Sequence, residues 1–141
     1  MRALVMALAI ASSAGAAHAQ DNGAPGGSIR VDHPPPPVPG GARKQAEAAV
    51  RQGLADPTSA AFRAEHVIEV ESVKHGFGPP IDGPVSVVCG QYAVSDGKGG
   101  QSGFSWFFAA IKHGQVLWTD VDLGGDPGAG YYGCKGAGLA S

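Results

Sequence analysis

Phe104-Ser105-Trp106-Phe107-Phe108-Ala109-Ala110-Ile111-Lys112-His113-Gly114-Gln115-Val116-Leu117-Trp118-Thr119-Asp120-Val121 is the stretch whose reading decides the fold. Residues 104–111 and 115–121 are rich in aromatic and β-branched side chains, which fit a pleated, half-buried surface. Between them stands Lys112-His113-Gly114. The His113-Gly114 pair suits a two-residue hairpin turn, because glycine takes positive φ freely and histidine tolerates it better than most residues. Phe104, Trp106 and Phe108 fall on one face of the first strand, and Phe107 and Ile111 on the other. A strand apolar on both sides is either central and covered, or it displays a patch to a partner.

Upstream, residues 66–73 alternate Ile68 and Val70 against Glu69 and Glu71, and residues 85–94 form a β-branched run carrying Cys89 and Tyr92. The connections 76–83 and 96–103 are rich in glycine and proline, as loops are. Before these four strands, residues 42–54 have helical periodicity. Ala42, Ala46, Ala49, Val50, Gly53 and Leu54 share one side; Arg43, Lys44, Glu47 and Arg51 share the other, with Glu47 four residues before Arg51. Asp56-Pro57 then resets the chain: aspartate is a preferred N-cap and proline suits the first helical position, so a short turn is expected over 57–62, with Phe62 entering the core. The fold class expected is α+β, an N-terminal helix packed on a small antiparallel sheet of about four strands. The globular domain should span 41–136, followed by a flexible tail, 137–141.

The N-terminal stretch reads as an address. Met1-Arg2 is a positive start, 3–11 is unbroken apolar sequence, and 12–19 is small-residue-rich, closing in Ala17-His18-Ala19. That pattern is a secretory signal peptide cut between Ala19 and Gln20, too short and wrongly flanked for a membrane span. The protein is therefore expected to be exported, periplasmic or secreted. Residues 20–40, with Pro34-Pro35-Pro36-Pro37, read as a linker in which extended polyproline II acts as a spacer rather than as a ligand for a proline-binding groove. In an oxidising compartment the two cysteines, Cys89 and Cys134, are expected to bond.

Composition removes some classes. Formal net charge is −2, charged residues are 16%, and the basic residues are scattered apart from Arg43-Lys44. No polybasic face is offered to nucleic acid or anionic lipid. Gly128-Ala129-Gly130-Tyr131-Tyr132-Gly133 spells G-x-G-x-x-G, but a dinucleotide site needs a strand, a following helix and a distant acid. With only residues 134–141 after it, no helix is expected there, and no cofactor. Asp120, Asp122 and Asp126 alternate as calcium-loop oxygens do, yet Gly124 stands at the fifth position and Tyr131 where a bidentate glutamate belongs. An acidic strand end is the preferred reading of that segment. His33, His66, His75 and His113 have no ligand partner at helical spacing, and no serine or cysteine sits in a nucleophile elbow.

Laid out in this way, the chain resembles a widespread group of small exported bacterial proteins of unassigned function. Their signature is a helix ending in D-P-x-S-A-x-F-R, a V-C-G strand, a G-G-x-x-G-F loop, an aromatic strand and a late cysteine. The counterparts here are Asp56-Pro57-Thr58-Ser59-Ala60-Ala61-Phe62-Arg63, Val88-Cys89-Gly90, Gly99-Gly100-Gln101-Ser102-Gly103-Phe104, the strand through Phe107, and Cys134. The likeness covers residues 42–134. It departs where an asparagine pair commonly follows the V-C-G strand; Ala93 and Ser95-Asp96 stand here. The resemblance implies fold and disulfide, and no activity.

The functional expectation is a non-catalytic binding or envelope-interaction module. Its partner would be an envelope protein or cell-surface component, met through Trp106 and Phe107 together with Lys98 and Gln101 of the 96–103 loop. The competing expectation is a small-ligand binder or hydrolase-type enzyme in which the fold gathers His66, Tyr92, Asp120 and Asp122. A purely structural or stress-protective protein is the third.

Overall fold

A computed structural model describes residues 28–31, 40–74, 79–124 and 126–141. The expected signal peptide, 1–19, and the expected linker, 20–40, apart from residues 28–31 and Gly40, lie outside the described residues. The elements are β1 (Ser28–Arg30), α1 (Gly41–Gln52), a 3-10 turn (Pro57–Ser59), β2 (Ala61–Val73), β3 (Ile81–Ala93), β4 (Ser105–Lys112), β5 (Gln115–Asp122) and α2 (Ala129–Gly136). The strands form one antiparallel sheet in the order β1-β5-β4-β3-β2. The class is α+β, as expected, with five strands instead of about four and a second helix.

The β4–β5 hairpin closes as the sequence predicts. His113 has φ 53° and Gly114 φ 73°. Both turn residues are left-handed, the geometry whose twist matches the flanking strands.

β4 is the central strand, and its two faces feed two cores. On one face, Phe107, Ala109 and Ile111 join Val88, Tyr92, Val116 and Val121 beneath Ala46, Ala49 and Val50 of α1. On the other, Phe108 and Ala110 join Val85, Val87 and Cys89 beneath Cys134 of α2. Small alanines let α1 lie close to the sheet. Its charged side departs from expectation: Glu47 pairs with Lys44 at 2.9 Å, while Arg51 donates to the Pro57 carbonyl at 2.7 Å and lies over the Phe62 ring. Asp56 precedes the turn as predicted, but its carboxylate accepts from the Thr58 hydroxyl instead of capping backbone amides. Phe62 belongs to β2 and meets Phe107 edge-on at 5.7 Å.

α2 corrects the expectation that no helix follows the glycine cluster. A glycine-rich helix of this length has little intrinsic stability, so tertiary links must hold it. Three do. The buried Asp122 carboxylate accepts the amides of Gly128 (2.9 Å), Gly130 (2.7 Å) and Tyr131 (2.9 Å). Glycine permits contact with the sheet, since a Cβ on Gly133 would stand 2.8 Å from the Phe108 ring. The Cys89–Cys134 disulfide bolts the helix to β3 and closes a loop of 45 positions, a constraint of roughly 4 kcal/mol in the chain-entropy model.

Two further corrections concern the ends. The linker contains β1, because Ile29 and Val31 are apolar at alternating positions and pack against Gly53, where a Cβ would meet them at 3.1 and 3.0 Å. Residues 137–141 are not a free tail: the Leu139 amide bonds the Cys134 carbonyl at 2.8 Å, and Leu139 and Ala140 pack on the α2-side core.

Candidate functional site

α2 packs over β4 and β5 and is tied to β3 by the disulfide, and aromatic side chains gather beside it. Trp106, half-buried on β4, meets Tyr131 with ring centroids 5.7 Å apart, and Tyr131 meets Tyr132 at 5.2 Å, both pairs edge-to-face. Tyr132 ends this ladder 64% exposed, more than either other exposed large hydrophobic residue among those described. Cations flank the rings. Lys135 Nζ lies 5.7 Å from the Tyr131 centroid, the Arg63 guanidinium 3.3 Å from that of Phe104, and the Arg30 guanidinium 3.6 Å from that of Trp118. These distances suit cation–π attraction, and Arg63 is also oriented by the Gln91 side chain at 3.0 Å. Beside Tyr132 runs a groove of about 370 Å³ over Phe108, walled by Val70, Val73 and Ala137, with Lys74 at its edge.

The sheet separates residues that the sequence grouped. Trp106 points to the α2 face, whereas Phe107 is fully buried under α1. Phe107 therefore belongs to the core and is withdrawn from the partner surface. Lys98 and Gln101 are exposed on the β3–β4 loop. That loop is shaped by Asp96, whose Oδ1 accepts the amides of Lys98 at 2.7 Å and Gly100 at 3.1 Å, and by a bridge between Ser95 and Gln101.

Nor do the residues of the hydrolytic reading come together as a set; only Tyr92 and Asp122 meet, through a backbone carbonyl. His66 faces Cys89, Cys89 faces Phe108, and Phe108 faces Asp120, so His66 and Asp120 stand three strand spacings apart, ~14 Å. Tyr92 is on the α1 face, its hydroxyl donating to the Asp122 carbonyl at 2.6 Å. Burial, reinforced by the Asp122 charge, pushes the phenol up to about 12. Of the candidate calcium ligands, Asp122 has its oxygens on α2 amides, Asp120 accepts the Trp118 indole N–H at 2.6 Å, and Asp126 is exposed. No group of three His, Cys, Asp or Glu among the described residues is placed to hold a metal.

One joint was not legible in the sequence. A bulge sets Ala64 and Glu65 of β2 opposite Gly90 of β3, and Ala64 takes a left-handed φ of 50°. The bulge turns Glu65 toward α1, with its side chain 10% exposed and its Oε2 3.9 Å from Arg43 Nε. Glu65 Oε1 is buried without a hydrogen-bond partner among the described residues. Burial, then the Glu47 carboxylate within hydrogen-bonding reach, raise the Glu65 pKa against the opposing pull of Arg43 and Lys44. Each carboxyl is matched to a cation of α1, Glu47 to Lys44 and Glu65 to Arg43, an arrangement of ion pairs rather than of two acids flanking a scissile bond. Register slips leave no compositional trace, so only Gly90 hinted at a close approach.

Compared with protein-family models, with curated proteins and with solved structures, the chain finds no match in any of the three. No helix among the described residues is long and apolar enough to cross a membrane.

Proposed function

We propose that this chain is a non-catalytic, exported binding module that engages an envelope or cell-surface partner through the α2 face. The observation that carries the reading is Tyr132, 64% exposed at the head of the Trp106–Tyr131–Tyr132 ladder and beside an apolar groove. Exposed tyrosine backed by rigid neighbours contributes contact area at little entropic cost, which is why such residues anchor interfaces. The cations Lys135 and Arg63 favour a partner surface of acidic character. The disulfide is compatible with export, and the resemblance to small exported bacterial proteins points the same way. The separation of His66 from the acids of β5 favours binding over hydrolysis.

A benzophenone photo-crosslinker placed at position 132, and at the exposed Leu117 as control, tests this against an envelope fraction. A discrete adduct at 132 and none at 117 is expected. Tyr132→Ala should then weaken binding of the purified partner about tenfold, or ~1.4 kcal/mol. Equal labelling at both positions, or unchanged affinity in Tyr132→Ala, contradicts the proposal.

A further inference from the structure

On the face opposite the proposed contact surface, the fold carries a device that binding does not use. Glu65 is delivered to α1 by a bulge whose first residue, Ala64, is held in a conformation that costs an alanine roughly 1 kcal/mol or more. Gly90 is what makes room, since a Cβ there would stand 2.9 Å from Glu65 Cγ and 2.8 Å from the Phe107 ring. Strain and a vacated position are therefore both committed to burying one carboxyl. Among the described residues, the charged groups acting on it are on α1: Glu47, Arg43 and Lys44. On the sheet side Gly90 and the Phe107 ring close on the Glu65 stem, and the next strand residue, His66, faces the tail. Lys44 is already committed to Glu47, with both carboxylate oxygens in reach at 3.1 and 2.9 Å. Arg43 also bonds the Glu65 carbonyl at 3.3 Å, so this joint fastens the edge strand's backbone to the helix as well.

We propose that Glu47 and Glu65 form an acid-operated clasp between α1 and the bulged edge strand, tightest when the two carboxyls hold one proton between them. With that proton, Glu65 donates to Glu47 and a buried repulsion becomes a hydrogen bond. Without it, two carboxylates face each other, one with a buried oxygen that has no donor. The sign follows from the raised Glu65 pKa. A group protonated more readily in the folded chain than in the unfolded one contributes stability that is complete below the unfolded value, 4.5, and is lost as pH climbs through the folded value. The clasp tightens on acidification from neutrality.

Amide hydrogen exchange of α1, corrected for intrinsic rates, reads this directly on the whole exported chain. Wild-type α1 should gain protection of about threefold or more between about pH 7.5 and about pH 5. Glu65→Gln, a neutral donor of the same shape, should be protected already at the higher pH and gain nothing further. If wild-type protection stays flat or falls, or Glu65→Gln responds to pH as wild type does, the clasp is overturned. Should Glu65→Gln not fold, the carboxyl 13C titration of wild-type Glu65 decides. A midpoint above the ordinary glutamate value supports the clasp, and one at or below it ends the proposal.

Discussion

Gly90 has no space for a methyl group. The Phe107 ring and the Glu65 stem close on the position its Cβ would occupy, at 2.8 and 2.9 Å, and Phe107 is fully buried with nowhere to retreat. Gly90→Ala should therefore lose about 1–3 kcal/mol by overpacking, read as a lower urea midpoint at unchanged slope. A variant as stable as wild type would mean that the bulge and ring can move apart. Asp122 is the complementary case, a buried charge kept because three amides converge on it. From sequence it looked like one of three alternating acids at a strand end. Its role depends on where the chain returns six to nine residues later, which spacing alone does not reveal. His113 was legible for the opposite reason: a two-residue turn is decided by the local backbone, and glycine beside a tolerant residue suffices.

The elements differ in how much of their existence is local. β3, β4 and β5 announce themselves by β-branched and aromatic runs, and α1 by its alanine stripe, because each carries its own apolar face. β1 has Ile29 to bury, with Val31 just beyond its end, and lies in a proline- and glycine-rich block. α2 had composition against it. Its glycines, poor in any isolated helix, become an advantage only once the sheet lies beneath them, and its anchors are a carboxylate and a sulfur from other strands. This dependence has a consequence. The double variant Cys89→Ala/Cys134→Ala should lose about 2–4 kcal/mol, with exchange protection falling first in α2 while β4 keeps its own. Undiminished protection of α2 would show that Asp122 and close packing hold the helix alone.

At the scale of the molecule, one sheet is covered twice, and the two covers have different characters. The α1 face is closed by the small side chains of the helix over Phe107 and Tyr92 and carries Glu65 and Glu47. The α2 face is closed by a short tethered helix that leaves aromatic rings and cations at the surface. Covering both faces explains why β4 is apolar on both sides, a pattern from which the sequence offered two readings, core or displayed patch. Both contain part of the answer: Phe107 is core, whereas Trp106 underlies a ladder that reaches solvent. The expected pairing of those two residues on one surface fails because adjacent residues of a strand point oppositely. Lys98 and Gln101 remain exposed at the loop end of the sheet.

The measurement that tests the binding reading most directly is backbone and indole amide chemical-shift mapping of the labelled domain against the crosslinked partner once purified. Shifts should concentrate on Trp106, Tyr131, Tyr132 and Lys135, leaving Ala46, Ala49 and Val50 of α1 unmoved. Perturbations centred on α1, or spread evenly over both faces, would contradict the assignment of the α2 face as the contact surface.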